Sequence, residues 1–327
     1  MILRVPEILE EALPGRFDTR RLSVAALSAT HPKFLVFGDD RSRPACVVEV
    51  GPVARMRRHH ELLTALHANI PALVPEPLAC AQWDVTSAIC VQGGLPGLPW
   101  FALRRRYRTA RQWQQLLESA VRALCLFQMA ARTEHGWLET IDPGVALRAE
   151  LEACLDAGIA VDADMVRLVT RRAQRLDRLG AITAHWQHGD FSLNNLLVSP
   201  TTVGIIDFDE LGETSMPLHD EFGLAISMRL SQEGACDLSW RSCLDTCVAY
   251  AAIRGRYDSE AVEGFLLHHL LWRIRRSLAS PSRARLRQSL LGMLASFTAN
   301  PSGWTSAAPQ EAHAWSGAPA RWLGIPT

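Results

Sequence analysis

The sequence contains the stretch HGDFSLNNLLV, residues 188–198, followed closely by VGIIDFDELG, residues 203–212. It places Asp190, then Asn195 five residues later, and then Asp207 at the end of an apolar run. The pattern predicts a loop and a strand pair that bring two carboxylates and an amide oxygen near one point. Oxygen ligands of this kind suit Mg²⁺, which fills its remaining positions with water and substrate phosphates.

This residue set fits phosphoryl transfer, in which a protein mainly positions groups and neutralises charge. The motif H-G-D-x-x-x-x-N-L-L followed by I-I-D-F-D resembles the catalytic and metal-binding loops of the aminoglycoside phosphotransferase and choline kinase family, which has the protein-kinase-like fold. The resemblance implies that Asp190 is the catalytic aspartate and that Asn195 and Asp207 bind Mg²⁺.

Three further residues take supporting roles from the same resemblance. Asp209 matches an extra acid that often follows the second metal-binding residue. The segment PLHDEFGLA, residues 217–225, resembles a later family segment that carries a structural aspartate, here Asp220. The family's histidine at position 188 is mostly a scaffold for the loop, so a direct proton-transfer role for His188 is the less favoured interpretation.

The rest of the chain predicts an α+β protein of two lobes. A small N-terminal lobe with an antiparallel sheet, residues 1–94, would bind nucleotide, and a mainly helical catalytic lobe would span residues 95–300. An irregular tail rich in Pro, Gly and Ala would follow at 301–327. Strands are predicted at residues 33–38, 45–50, 79–83 and 87–92, and helices at 53–67, 113–131, 161–179, 259–278 and 282–297.

The joint between the lobes is expected at GGLPGLPW, residues 93–100, where three glycines and two prolines interrupt the pattern. The family counterpart of this segment is the hinge. The resemblance therefore implies that backbone groups around Gln92 and Gly93 meet the base of ATP or GTP.

The N-terminal lobe departs from the family at the phosphate-binding lysine. The best register places Glu49 at the lysine position and His59 near the position of its glutamate partner. Lys33 is the only lysine among 34 basic residues, and it lies on or before the preceding strand, so it is not expected to substitute. Either an arginine, with Arg55 first and the neighbouring arginines at 57 and 58 next, reaches the phosphates, or Glu49 forms an inverted pair with His59 or Arg55.

Composition limits the other functions. The formal net charge is zero, which argues against nucleic acid or an anionic membrane as the main partner. No apolar run approaches the roughly 20 residues of a membrane span, so a cytoplasmic location is expected. The eight cysteines are scattered through apolar stretches without CxxC pairs, which favours free buried thiols.

These patterns predict a small-molecule kinase that uses Mg²⁺ to move the γ-phosphate of ATP or GTP to a hydroxyl group. A sugar, an amino alcohol or an aminoglycoside-like metabolite would be the acceptor. The alternative is a catalytically impaired binding or regulatory protein of the same fold, because Glu49 replaces the usual lysine.

Overall fold

The computed structural model describes residues 4–28, 32–134, 140–184, 186–231 and 257–300. Within these ranges the predicted α+β arrangement is confirmed: an antiparallel sheet occupies the N-terminal region, and helices dominate the C-terminal part. The tail expected at 301–327 lies outside the described residues. So do three of the cysteines, Cys236, Cys243 and Cys247, whereas the five described cysteines are free.

The N-terminal sheet has five strands in the order β1-β2-β3-β5-β4, and all its neighbouring pairs are antiparallel. The predicted hairpin is β2 and β3, which pair with Lys33 opposite Glu49. The sequence patterns did not predict β1. The strands are β1 Ser23–Ser28, β2 Lys33–Phe37, β3 Cys46–Pro52, β4 Pro77–Gln82 and β5 Ser87–Gly93.

The two faces of this sheet differ in character because side chains alternate along each strand. One face packs its apolar residues against the short helix α1, Val5–Ala12, which was also not predicted. Helix α2, Val53–Asn69, contributes Met56, which packs with Ala88 and Cys90 of β5. Val48 and Val50, the residues on either side of Glu49 in β3, belong to the core that faces α1. Because side chains alternate along a strand, Glu49 lies on the opposite face, the one that faces α2.

The connection between the lobes runs from β5 into β6, Leu98–Pro99, which joins a three-stranded sheet in the order β10-β9-β6. Strands β9, Leu196–Val198, and β10, Val203–Ile205, are the strand pair that the sequence predicts within residues 188–212. Gly94 lies so close to the β2–β3 turn that a Cβ atom there would collide with the carbonyl oxygen of Pro44. The hinge therefore requires a glycine at this position.

The C-terminal lobe is built on two apolar clusters. One surrounds Phe127 and Phe191 and includes residues of α4 and α7 together with Leu63 and Leu66 of α2. The other joins α5, α6, α8 and α9 with the opposite side of α7. The predicted helices are confirmed, whereas α5 and α7 were not predicted as helices. The helices after α2 are α3 Trp100–Leu103, α4 Ala110–Glu134, α5 Pro143–Asp156, α6 Ala163–Asp177, α7 His219–Ser231, α8 Ser259–Arg276 and α9 Ala284–Ala299; β7 Thr140–Ile141 pairs with β8 Ile182–Thr183.

No helix in the described ranges combines the length and the apolar character that crossing a membrane requires.

Candidate active site

The loop that carries Asp190 is held in place from the first turn of α7. The carboxylate of Asp220, which is fully buried, accepts hydrogen bonds from the backbone N–H groups of His188 at 2.6 Å and Gly189 at 3.0 Å. Burial and the adjacent Glu221 raise the pKa of Asp220 to about 8, while the two N–H groups favour its ionised form. Gly189 has a φ of 88°, which favours glycine and directs the chain into Asp190.

His188 connects this loop to the second motif. Its Nε2 lies 3.1 Å from the carbonyl oxygen of Ile206, and its ring packs 4.9 Å from the ring centroid of Phe208. Burial lowers the pKa of His188, so the neutral ring donates its Nε2 proton to that carbonyl. These contacts are those of a scaffold residue.

One hydrogen bond of Asn195 joins it to Asp190, and another joins it to the residue before Asp207. The side-chain nitrogen of Asn195 donates to the carbonyl oxygen of Asp190 at 2.9 Å, so its amide oxygen is the atom that can coordinate a cation. The backbone N–H of Ile206 donates to the carbonyl oxygen of Asn195 at 3.0 Å, directly before Asp207. Asp207 itself has a φ of 66°, a left-handed conformation that costs a non-glycine residue about 1–2 kcal/mol.

Lys33 lies beside Asp207 and Glu49, a position that its place on the preceding strand did not lead us to expect. Its Nζ is 2.9 Å from Oδ1 of Asp207 and 3.6 Å from Oε2 of Glu49. The physical reason is the strand register, since Lys33 and Glu49 are direct cross-strand partners on β2 and β3. Burial opposes the charge on Lys33, but Asp207 and Glu49 outweigh it and raise the pKa of the ammonium group. Burial likewise opposes ionisation of Asp207, yet Lys33 lowers the pKa of that carboxyl.

Glu49 forms the inverted pair that the sequence left as one of two alternatives. Arg55 places Nη2 3.1 Å from Oε1 of Glu49 and 2.9 Å from Oδ1 of Asp209. His59 Nδ1 is 4.0 Å from Oε2 of Glu49, and burial lowers the pKa of His59 to about 4, so its ring is neutral near pH 7. Arg57, by contrast, contacts Gln82 at 3.3 Å on the exposed side of α2.

The donor set fits a divalent cation. Three carboxylates, those of Glu49, Asp207 and Asp209, share two neighbouring cations, Lys33 and Arg55, through the ion pairs given above. One negative charge is therefore left over when all three are ionised. Carboxylate oxygens of this kind, together with the amide oxygen of Asn195, are the ligands that Mg²⁺ prefers.

Asp190 is held by an arginine that the sequence did not single out. Arg273, on α8, places Nη2 2.7 Å from Oδ1 of Asp190, and its side chain is 12% exposed. The same guanidinium lies 3.4 Å from Glu210, which also meets Arg276 at 3.7 Å and Arg283 at 3.6 Å. The basic end of the helix, WRIRRSL at 272–278, was the available signal, but it does not indicate where the helix packs.

The hinge residues occupy the end of β5, where Gln92 pairs with Val47 of β3. The backbone N–H of Gly93 donates to the carbonyl oxygen of Glu76 at 2.8 Å. The backbone N–H of Gly94 donates to the carbonyl oxygen of Ala45 at 3.1 Å. Both donors are thus used within the lobe. A base at this hinge would need other backbone groups as its donors.

The model of a protein family described as "Phosphotransferase enzyme family" matches residues 25–233, which is more than half of the chain. No curated protein sequence matches the chain.

Several solved structures share the fold at low sequence identity. A thermostable mutant of aminoglycoside phosphotransferase APH(4)-Ia, in a ternary complex with ADP and hygromycin B, has a TM-score of 0.58 and 15% identity, covering 90% of this chain and 98% of its own. The GDP complex of aminoglycoside 2'-phosphotransferase-IIIa has a TM-score of 0.58 and 16% identity, covering 92% and 99%. A putative aminoglycoside phosphotransferase from Ralstonia eutropha has a TM-score of 0.55 and 13% identity, covering 91% and 98%.

Proposed function

Because the chain belongs to the phosphotransferase enzyme family, we propose that it uses Mg²⁺ to transfer the γ-phosphate of ATP or GTP to a hydroxyl group of a small molecule. The observation that supports the proposal is that the loop of Asp190 and Asn195 is hydrogen-bonded, through His188 and Asn195, to Ile206, directly before Asp207. The fixed positions of these side chains matter because phosphoryl transfer depends on positioning and charge neutralisation.

Asp190 is the group that would accept or orient the acceptor hydroxyl. Arg273 binds its Oδ1 at 2.7 Å, which fixes the carboxylate and leaves Oδ2 as the atom that can face a hydroxyl. Asp190 is 18% exposed, so an acceptor can reach it. The loop around it is held at the backbone by Asp220.

Asn195 and Asp207 would hold the metal. When bound, Mg²⁺ supplies the positive charge that neutralises the transferred phosphate. Asp207 is held by Lys33, and its lowered pKa keeps it ionised, as a metal ligand must be. Asp209, paired with Arg55, adds negative charge beside the same site.

The acceptor is proposed only as a class. Hygromycin B is bound beside ADP in one related structure and kanamycin beside GDP in another, which supports a small-molecule acceptor. We propose a sugar, an amino alcohol or an aminoglycoside-like metabolite as the class to screen.

The alternative function is that of a catalytically impaired binding or regulatory protein. Glu49 favours it, because a buried carboxylate stands at the position of the usual phosphate-binding lysine. The ion pairs from Lys33 and Arg55 to Glu49 weigh against it, because they offset the charge that would repel a nucleotide.

The substitution Asp190→Asn separates these functions. It should lower nucleotide turnover by about a hundredfold or more, because the amide cannot accept the hydroxyl proton, while nucleotide affinity stays close to that of the wild type. Slow hydrolysis of ATP or GTP without acceptor provides the assay, and calorimetric titration provides the affinity. Equal turnover in the two proteins would remove Asp190 from the reaction, whereas nucleotide binding without any turnover in the wild type would favour the alternative.

A further inference from the structure

We propose that Lys33, on β2, is the residue that binds the nucleotide phosphates, in place of the lysine that related enzymes carry at the position of Glu49 on β3. The inference rests on the proposed function, since it names the phosphate-binding cation of the same site. It replaces the sequence-based expectation that an arginine of α2 fills this role.

The positions of the charged partners favour Lys33 over the arginines. Arg55 already meets two carboxylates, Glu49 at 3.1 Å and Asp209 at 2.9 Å. Arg273 is paired with Asp190 on the acceptor side of the reaction. Lys33 is paired with Asp207, the proposed metal ligand, and so its charge lies beside the position that the metal and the phosphates would share.

The ammonium group of Lys33 still has N–H donors that could bind a ligand. It has three N–H donors, of which the 2.9 Å contact with Asp207 uses one, and the 3.6 Å contact with Glu49 is a longer ion pair. The Lys33 side chain is 19% exposed, so it is mostly covered but not closed off from solvent. A compact charge on a flexible four-carbon stem can bind phosphate as a point charge from a neighbouring strand.

In this arrangement Glu49 is the carboxylate that pairs with the phosphate-binding lysine, Lys33. The Glu49 side chain is 1% exposed and receives Arg55 on Oε1, while Oε2 faces Lys33. The lysine and its carboxylate partner are therefore both supplied by the β2–β3 hairpin, as direct cross-strand neighbours. The lysine is on the other strand of the pair, one strand spacing of about 5 Å away.

This geometry permits a test in which the charge is moved from one strand to the other. Lys33→Met combined with Glu49→Gln removes both charges of the pair, so neither ion is left buried without its partner. Lys33→Met combined with Glu49→Lys returns the ammonium to β3, where the family carries it. Arg41→Met removes an exposed cation from the turn of the same hairpin and serves as the control for a general loss of charge.

Calorimetric titration with the β,γ-imido analogues of ATP and GTP, at millimolar Mg²⁺, measures binding without turnover. We expect Lys33→Met/Glu49→Gln to weaken the affinity by about tenfold or more, because a charge-assisted contact to phosphate is lost. Lys33→Met/Glu49→Lys should restore it to within about threefold of the wild type, and Arg41→Met should leave it unchanged. Urea unfolding of each variant checks that the lobe is folded.

Two results would overturn the proposal for Lys33 while leaving the proposed function intact. One is wild-type affinity in Lys33→Met/Glu49→Gln. The other is a loss of affinity that moving the lysine to position 49 does not restore although urea unfolding shows no destabilisation by the neighbouring Arg55, which would mean that Lys33 acts only through the architecture of the hairpin. Failure of the wild-type protein to bind either analogue would instead contradict the proposed function, and the role of Lys33 with it.

Discussion

At the scale of single residues, the role of a side chain depends on what it meets across a strand pair as well as on its place in a motif. The sequence predicts Glu49 at the lysine position of the family motif, and the structure shows that Glu49 is held by Arg55 and lies opposite Lys33. Burial raises the pKa of Glu49, and Lys33 and Arg55 offset part of that effect, whereas an isolated buried carboxylate would be costlier. The substitution that looks most damaging in the sequence is thus accommodated in the structure.

Arg273 is predicted to act as a positioning residue for Asp190. Arg273→Met should lower the turnover of nucleotide hydrolysis by roughly ten- to a hundredfold, because small misplacements of a reacting group carry penalties of this size. The KM for nucleotide should stay near the wild-type value, and Arg273→Lys should recover part of the rate.

The matched control is Arg276→Met. Arg276 lies on the same helix but forms its ion pairs with Glu210 and Glu213 rather than with Asp190, so its loss should leave turnover near that of the wild type. Equal losses of turnover in Arg273→Met and Arg276→Met would contradict the assignment, because the effect would then be one of general charge or of helix packing.

The sequence contained a signal for Lys33 that motif alignment does not use. The predicted hairpin joins residues 33–38 to 45–50, and the two segments lie symmetrically about its turn, so Lys33 falls opposite the end that carries Glu49. Alignment by motif compares positions along one strand and does not consider the neighbouring strand. Arg273 was less accessible to prediction, because its contact with Asp190 joins residues 83 positions apart through helix packing.

At the scale of elements, prediction succeeded where periodicity was long. Helix α2 and helices α4, α6, α8 and α9 were expected within a few residues of their bounds. The missed elements are short or weakly patterned: α1 has only eight residues, and β1 is SVAALS, which is poor in β-branched residues. In helix α7 the first turn was recognised through Asp220, but the helix is buried on most sides and so lacks the alternation of apolar and polar faces that marks a surface helix.

The buried histidines of α8 predict a loss of stability in acid. Burial lowers the pKa of His268 to about 4, below its value in the unfolded chain, so its contribution to folding is full above pH 6.5 and is lost as the pH falls towards 4. Burial and the neighbouring His219 also lower the pKa of the adjacent His269. Between these two pH values, each such histidine lowers the free energy of unfolding by about 1.4 kcal/mol for every unit by which the pH falls.

His268→Gln isolates this effect, because glutamine does not titrate. The difference in unfolding free energy between the wild type and His268→Gln, from urea titrations, should change by about 2 kcal/mol in favour of the variant between pH 6.5 and pH 5. A difference that stays constant over this range would show that His268 titrates alike in the folded and unfolded chains.

At the scale of the whole molecule, the fold brings together charges that lie far apart in the sequence. The ion pair of Lys33 with Asp207 joins the N-terminal sheet to the strand that ends the second motif, across 174 positions. A charge network that holds three carboxylates with two cations favours a metal and a polyanionic ligand bound together. We therefore expect this protein to bind Mg²⁺ and nucleotide at Asp207.

Thermal unfolding with and without Mg²⁺ and nucleotide tests that claim most directly. At about 100 times the dissociation constant of ATP or GTP, ligand binding should add roughly 2.7 kcal/mol of stability, which raises the melting temperature by a few degrees for a chain of this size. Asp207→Asn should abolish the rise, because the amide cannot replace the charged metal ligand. A wild-type melting temperature unchanged by either nucleotide in millimolar Mg²⁺ would contradict the account.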